Sequence, residues 1–390
     1  MTSLTMLAPV NGNVDVMNEQ ACDFTCFDPK VLSFIETLSN TLLKDNEAKT
    51  YPELVALGFW LRQSNLKKIQ GLAPEGIVKP LGWVLHFTPA NVDTMFIYSW
   101  VCALLMGNNN VIRVATKSTE LRECLLNILN QLFAQPEFVQ LGERNLFVHY
   151  HKQSDYSAKL SLKADARVIW GGDESVNGIR QLPSQPRCRD ISFADRYSAC
   201  VINGAQLTNE NLPKLAQLLW QDTHPHGQLA CSSPRLIYWL GDTALQRKLF
   251  QQVNHLAAQN GQMINALNDH LVTSQLLKTT GKAAEPIIQE AVAVIPVTCF
   301  DDTWLDWHLG GGYFLLLPIN SLEDITSASS AKLQTLSYWG LEQQALVKFA
   351  QQPSIQGIDR VVPIGRALDF SPVWDGYQLL TMLSRGVEVK

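Results

Sequence analysis

The chain is 390 residues long, with 46% hydrophobic and 17% charged residues and a formal net charge of -5. That length exceeds what a single hydrophobic core ordinarily supports, so a soluble protein of two domains is expected. A mildly acidic balance with no basic run excludes the electrostatic footprint of a nucleic-acid binder.

The N-terminal stretch MTSLTMLAPVNGNVDV has neither the basic start nor the apolar core of a secretory leader, which leads us to expect a cytoplasmic protein. In that compartment the eight cysteines (Cys22, Cys26, Cys102, Cys124, Cys188, Cys200, Cys231, Cys299) are expected to be reduced. Cys22 and Cys26 would share a helical face, but the scattered spacing shows no pair of CxxC knuckles and no metal site is expected.

In the first 70 residues, VLSFIETLSNTLL and YPELVALGFWLR repeat apolar residues at three- and four-residue spacing, which predicts packing helices without chemistry. From Ile77 the pattern changes. The β-rich run WVLHF ends in a Thr-Pro turn, a helical run VDTMFIYSWVCALLMG follows, and after a Gly-Asn turn comes the strand NVIRVA. The apolar stretch inside that helix, MFIYSWVCALLM at 95 to 106, is too short to span a bilayer and reads as a buried helix. A strand, helix and strand in this order imply parallel pairing through a right-handed crossover. The helix ELRECLLNILNQLF and the strands NLFVHY and ARVIW continue the alternation, so residues 77 to about 205 are expected to form an open, doubly wound α/β domain.

After VINGAQLTNENLPKLAQLLW a second alternation begins, with PRLIYWL, a helical stretch near 243 to 260, AVAVIPVT, GYFLLLPI and a last helix-strand region. The expected fold class is α/β, with two doubly wound domains. The boundaries are drawn at 1–205 for N-terminal helices and a cofactor-binding domain, 206–350 for a catalytic domain, and 351–390 for a C-terminal segment that rejoins the cofactor domain or an oligomeric sheet.

The second domain opens with HPHGQLACSSPR, residues 224 to 235. A free cysteine is most often a small buried thiol. Cys231, however, stands among Gln228, Ser232 and Ser233 with no long apolar flank before it, and Gly227 suggests a backbone that passes close to something. At the start of a strand or helix, nearby backbone N–H groups would favour a thiolate. His224 and His226 lack further nearby zinc ligands and read as loop polar groups, one of them a candidate base for Cys231. His86, on WVLHF, reads as a satisfied core histidine, and His308 carries no assigned role. Trp374, Asp375 and Gly376 with Arg366 read as one packing and turn unit.

The set FTPAN (87 to 91), GN (107 to 108) followed by VIRVATKSTE, VIWGG (168 to 172) and GQLACSSP (227 to 234) resembles the aldehyde dehydrogenase superfamily in order and rough spacing. It is most similar to the LuxC-like acyl-CoA reductase branch, which the C-terminal stretch GIDRVVPIGRALDFSPVWDGYQLL also resembles. The resemblance implies an aldehyde dehydrogenase-like pair of domains, one Rossmann-like and one catalytic. It implies that Cys231 attacks an acyl thioester, delivered by acyl-CoA or an acyl-carrier protein, and that hydride reduces the acyl-enzyme to an aldehyde. Asn91 holds the position of the family's side-chain oxyanion donor, with the Cys231 N–H as the second donor; from its residue context alone Asn91 is a turn or N-cap residue.

For the cofactor, Trp170, Gly171 and Gly172 end a strand before DESVNGIR, where bare backbone would let a pyrophosphate approach; the plain alternative is a strand-to-helix turn. Arg113 falls where the family usually carries a lysine toward the adenosine ribose, and Thr116 where NAD-specific relatives carry a glutamate. With Thr116 and Lys117 a negative charge is lost and a positive one gained, which implies NADPH; taken alone, Arg113 and Lys117 are solvated surface charges. The segment DISFADRYSACVI, 190 to 202, has no counterpart of the glutamate that activates hydrolytic water in the oxidising enzymes, which suits reduction. Two residues, Leu229 and Ala230, separate Gln228 from Cys231, where many relatives have one. The resemblance further implies a homo-oligomer, a dimer in the first instance, with an acyl transferase as a candidate partner. Two other readings stay open: a non-catalytic member that binds an acyl carrier or partner, and an acyl-phosphate reductase.

Overall fold

A computed structural model describes residues 3–18, 21–89, 94–115, 119–259 and 266–390. The chain divides into two units, Met1–Ala194 with Phe370–Lys390, and Asp195–Asp369.

The first unit carries strands β1 (Thr5–Ala8), β2 (Ile77–Pro80), β3 (Trp83–Phe87), β4 (Asn109–Arg113), β5 (Asn145–His149), β6 (Ala166–Trp170) and β7 (Arg189–Phe193). Six of them form one sheet in the order β1-β5-β4-β3-β6-β7, parallel throughout except where β1 runs antiparallel to β5. Every residue of β3 and β6 is buried, His86 and Arg167 included, as expected of mainly apolar strands when helices cover both sheet faces. The helix Met95–Leu105 is apolar nearly all round and correspondingly buried. From β3 the chain winds outward through β4 and β5, then returns to place β6 on the other side of β3. The strand order therefore reverses between β3 and β6, and the crevice outside their carboxyl ends is where such sheets bind ligands. Phe87 and Trp170 stand at those ends, the last residues of two neighbouring parallel strands.

The Gly-Asn turn before β4 is a structural pin. Gly107 has φ +77, and a Cβ there would lie 2.5 Å from the Phe24 carbonyl oxygen. Buried Asn108 accepts from Leu81 N (2.8 Å) and Gly82 N (3.2 Å) and donates to the Ala103 (3.0 Å) and Leu383 (2.7 Å) carbonyls. His86 is buried and neutral, its affinity for a proton lowered by burial to about 4, and it bonds Ser99 and Asn110.

The second unit carries β8 (Tyr197–Asn203), β9 (Pro234–Leu240), β10 (Ile288–Gln289), β11 (Ala293–Pro296), β12 (Tyr313–Ile319), β13 (Leu333–Trp339) and β14 (Arg360–Pro363). Their order is β10-β11-β12-β9-β8-β13-β14, parallel except for β10 on β11. The helices Leu212–Thr223 and Gln246–Gln259 set Leu215, Leu219, Phe250 and Val253 into a core against one sheet face. Each such side chain, fully buried, contributes roughly 1.5 to 3 kcal/mol of transfer free energy. The opposite face packs Tyr238, Leu315, Leu336 and Phe349.

The tail returns to the first unit as β15 (Val373–Trp374), β16 (Tyr377–Gln378) and β17 (Ser384–Val387). Asp375 (φ +49) and Gly376 (φ +72) make the two-residue turn between β15 and β16, as a type I′ hairpin demands. The strand β17 pairs antiparallel with β2.

The doubly wound α/β class expected from the sequence is the observed one, with differences in placement. The units divide at 194/195 and 369/370, rather than at 205/206 and 350/351, because β8 is hydrogen-bonded between β9 and β13 and because β14 extends β13. Arg366 is consequently in the second unit, paired with Asp369, and does not share a unit with the Trp374 hairpin. The edge strand β1 lies in a region read as helical; four residues paired on one side carry too little pattern to show in sequence.

Removing the Asn108 pin tests this account. Asn108→Ala strips four hydrogen bonds from buried backbone and is expected to lower unfolding stability by about 2 to 4 kcal/mol, read as a fall in urea midpoint.

Candidate active site

Cys231 sits in a turn over residues 230–233, closed by Ser233 N on the Ala230 carbonyl (3.0 Å) and leading into β9. Its carbonyl accepts from Ser198 Oγ at 2.7 Å, and that hydroxyl in turn accepts from Thr335 N at 3.2 Å. The thiol is partly exposed. Burial pushes up the thiols of Cys22, Cys26, Cys102, Cys124, Cys188 and Cys200, those of Cys124 and Cys188 to about 11.

The chain reaches this turn through three consecutive left-handed residues, His226 (φ +53), Gly227 (φ +60) and Gln228 (φ +64). Such a path is unfavourable for residues with a side chain, by roughly 1 kcal/mol or more each, and needs outside support. Gln228 supplies it. Fully buried, it donates Nε2 to the carbonyls of Pro234 and Tyr313 (both 2.9 Å), while Oε1 accepts from Gly312 N (2.8 Å) and Tyr313 N (3.0 Å). All four hydrogen-bonding positions of the amide are filled, and the loop is stapled to the starts of β9 and β12.

A second clamp comes from Gly310, Gly311 and Gly312, all with positive φ. Gly311 N donates to the Gly227 carbonyl at 2.9 Å, and a Cβ on Gly310 would lie 2.2 Å from that same oxygen. The close approach suggested by Gly227 is thus required of Gly310; a Cβ at Gly227 would meet nothing within 4 Å, and Gly227 is needed only for its φ.

The imidazole of His308 fixes the glycine turn. Its Nε2–H donates to the Tyr313 carbonyl (2.7 Å) and Nδ1 accepts from Gly310 N (3.2 Å), which defines one neutral tautomer. Burial, then the charge of Arg235, lowers its proton affinity to about 3. His270, also buried, lies 3.4 Å from the Gly310 carbonyl through Nε2, and its carbonyl accepts from Ser274 Oγ. Of the loop histidines, His224 donates Nδ1 to the Trp220 carbonyl (3.0 Å) and stacks on that indole. Gln228 was legible only as a polar neighbour of the cysteine and His308 not at all; the run of three glycines was the available signal.

In the first unit, Trp170 stacks on Phe193 with ring centroids 3.8 Å apart, and Tyr377 meets Phe193 edge-on at 5.6 Å. Gly171 N is committed to the Phe193 carbonyl (3.1 Å). Gly172 caps the helix Asp173–Arg180 with open space where a Cβ would stand, so the expected open turn is Gly172's alone. Asp173 and Glu174 occupy the first turn and answer the helix's positive pole with carboxylates. Arg113 ends β4 with its guanidinium 5.2 Å from the Tyr150 ring and its Nε buried without a hydrogen-bond partner; the indole N–H of Trp170 is likewise buried and unpartnered. Asn91, Thr116 and Lys117 lie outside the described residues. Among the described residues no group of three or more His, Cys, Asp or Glu is arranged to hold a metal, and no helix is long and apolar enough to cross a membrane.

Two doubly wound units, the second carrying a cysteine in the turn that leads into β9, have the architecture of the aldehyde dehydrogenase fold. Solved structures bear this out: aldehyde dehydrogenase 21 of Physcomitrella patens, in complex with succinate, superposes with a TM-score of 0.68 at 10% identity, over 95% of this chain and 87% of that one. An NAD-dependent benzaldehyde dehydrogenase of Corynebacterium glutamicum gives 0.66 at 13% identity, over 98% and 92%. The glyceraldehyde-3-phosphate dehydrogenase GapN of Methanocaldococcus jannaschii, complexed with NADP, gives 0.63 at 12%, over 95% and 90%. No curated protein matches the sequence significantly. The family model of acyl-CoA reductase (LuxC) matches residues 73–267, a span that takes in both the switch-point motifs and Cys231. The chain belongs to the LuxC acyl-CoA reductase family, whose chemistry is oxidoreduction of acyl groups.

Two measurements probe the loop. Gln228→Ala strips the amide's hydrogen bonds from two buried N–H groups and two carbonyls, of which that of Tyr313 keeps its bond from His308, and is expected to cost about 3 kcal/mol or more, seen as a lower unfolding midpoint. For His308, the unfolded chain takes up a proton near pH 6.5 that the fold refuses down to about 3. Its contribution is therefore complete above pH 6.5 and is lost as pH falls through that window, by up to about 1.4 kcal/mol per pH unit. Urea midpoints of His308→Gln should fall less steeply than wild type between pH 6.5 and 4.5.

Proposed function

We propose that the protein reduces a fatty acyl thioester, carried by coenzyme A or an acyl-carrier protein, to an aldehyde at the expense of NADPH. The observation that carries this reading is Cys231: a partly exposed thiol in a stapled turn, within the part of the chain matched by the acyl-CoA reductase family.

The first unit offers a fit for a nicotinamide dinucleotide. Arg113 keeps a buried Nε without a partner at the carboxyl edge of the sheet, and Gly172 leaves open space at the end of β6, beside the switch point. Arg113 and Lys117 would bind the phosphate-bearing ribose, with Thr116 adding no competing negative charge; Trp170, Gly171 and Gly172 would border the diphosphate. When bound, the cofactor supplies the hydride.

The chain's own residues do the rest. The Cys231 thiolate attacks the acyl carbonyl carbon; a carbon–sulfur bond forms, the carrier's carbon–sulfur bond breaks, and the carrier leaves as a thiol after taking a proton. Asn91, by family position, and the Cys231 N–H are the proposed donors to the oxyanion, each worth roughly 3 to 4 kcal/mol in the transition state. After reduction of the acyl-enzyme, collapse of the resulting hemithioacetal releases the aldehyde and restores the thiolate. Hydrolysis lacks its base: the 190–202 segment contains no glutamate, and Asp190 is held by Arg167 through two 2.7 Å bonds. Water therefore competes poorly for the thioester. By resemblance, the ribbon of β2 and β17 is the edge through which copies of the chain would join as a dimer; each strand has only the other as its partner in that sheet.

NADPH consumption by the purified protein, measured over a series of acyl-CoA chain lengths with NADH in parallel, tests the reading. Turnover should prefer NADPH and vanish in Cys231→Ala. Retention of full reduction by that variant would sink the proposal.

A further inference from the structure

The crevice at the switch point lies outside the carboxyl ends of β3 and β6. At the amino ends of the same strands, roughly 13 Å of backbone away, the first unit holds a second concave place. It is a pocket of about 260 Å³ lined by Leu81, Asp165, Arg187, Arg189 and Arg385. Leu81 leads toward β3, Asp165 into β6 and Arg187 toward β7, while Arg189 opens β7 and Arg385 lies on β17. Four separate stretches of chain thus bring three guanidiniums and one carboxylate to one small volume.

The backbone fixes this arrangement. Arg189 donates Nη1 to the carbonyls of Thr381 (3.5 Å), Met382 (3.0 Å) and Ser384 (2.7 Å), which holds its guanidinium against the tail directly before Arg385. Arg385 stands opposite Lys79 in the antiparallel register of β17 on β2, so two like charges project from one face of the ribbon. Such a cross-strand pair is unfavourable by itself. Arg187 and Arg385 are exposed, and among the described residues neither guanidinium makes a hydrogen bond or an ion pair. Asp165 offsets only one of these charges. Its Oδ2 is already committed, accepting from Trp83 N at 2.9 Å, an arrangement that Gly82 (φ +138) permits by having no Cβ to collide with it. The pocket therefore keeps an excess of positive charge: three arginines in its lining, and Lys79 opposite one of them, against a single carboxylate.

We propose that this pocket is an anion site, separate from the switch-point crevice, that binds a diphosphate group, free or borne by a nucleotide. Guanidinium forks match phosphate oxygens in pairs, and a diphosphate supplies the two or more negative charges that the excess calls for. A lone carboxylate would leave most of that excess unanswered. The volume lies below the roughly 300 to 1,000 Å³ of pockets that enclose drug-sized ligands, so it suits a compact anion and leaves any attached nucleoside outside. Bound there, the diphosphate links Arg385 of the tail to Arg187 and Arg189 at the head of β7 and relieves the repulsion between Arg385 and Lys79. The ligand fastens the C-terminal segment to the sheet. This inference goes beyond acyl-thioester reduction and does not depend on it.

Isothermal titration calorimetry of the full-length chain with sodium pyrophosphate tests the site, with sodium sulfate at matched ionic strength as the control for general charge screening. Wild type should bind pyrophosphate saturably, and Arg187→Gln and Arg385→Gln should each weaken that binding by about tenfold or more. Both side chains are exposed, so both variants should keep the wild-type urea midpoint. Arg113→Gln, at the opposite edge of the sheet, should bind pyrophosphate as wild type does. ADP titrated in parallel identifies the source of the group, counting only the binding that Arg385→Gln removes: tighter than pyrophosphate means a nucleotide, equal or weaker a free diphosphate. Heats no larger than those of sulfate, or pyrophosphate binding that survives in both Arg187→Gln and Arg385→Gln, overturn the assignment. So does tighter binding of a hexaglutamate peptide, which would make the pocket a docking point for an acidic protein surface. Acyl-CoA reduction is measured separately, and neither result bears on the other.

Discussion

The amide of Gln228 holds together a stretch of chain that would otherwise be unfavourable. Three successive residues in the left-handed region carry no energetic reason to stay there, and glycine occupies only the middle one. Four hydrogen bonds from one buried side chain to the starts of β9 and β12 offset that strain and leave no free partner on the amide. Because the anchor is the sheet itself, the turn bearing Cys231 inherits the rigidity of the core. A site that must hold reacting atoms to within a fraction of an ångström needs this kind of support.

The same economy runs through the layer beneath. His308 is kept neutral by burial and used as a two-ended spacer between Gly310 and Tyr313, and the triple-glycine turn lets backbone approach backbone where any Cβ at Gly310 would collide. Polar groups in this layer satisfy one another and shape the loop. The first unit follows a related logic at its carboxyl edge, where the buried Arg113 and Trp170 nitrogens remain unpartnered beside the open face of Gly172.

Much of this architecture was readable from residue order. WVLHF, ARVIW, PRLIYWL and GYFLLLPI are mainly apolar runs of strand length, and such runs, without polar alternation, belong to parallel strands covered on both faces. ELRECLLNILNQLF repeats at helical period and forms a helix over those same residues. What escaped notice has physical causes. The strand β1 is an edge with one neighbour, so its pattern is weak; the Gly310 contact joins residues more than eighty positions apart; and Arg366 and Trp374, near in sequence, are divided between units by the pairing of β14 with β13.

The sequence by itself determined the fold class, the succession of strands and helices and the family motifs, because periodicity and local composition are short-range properties. Only the tertiary structure decided that Gln228, His308 and the glycine turn converge on the loop that carries Cys231, and that Gly171 is spent while Gly172 is open. These are relations between distant residues, and they come into existence when parallel strands are brought into register.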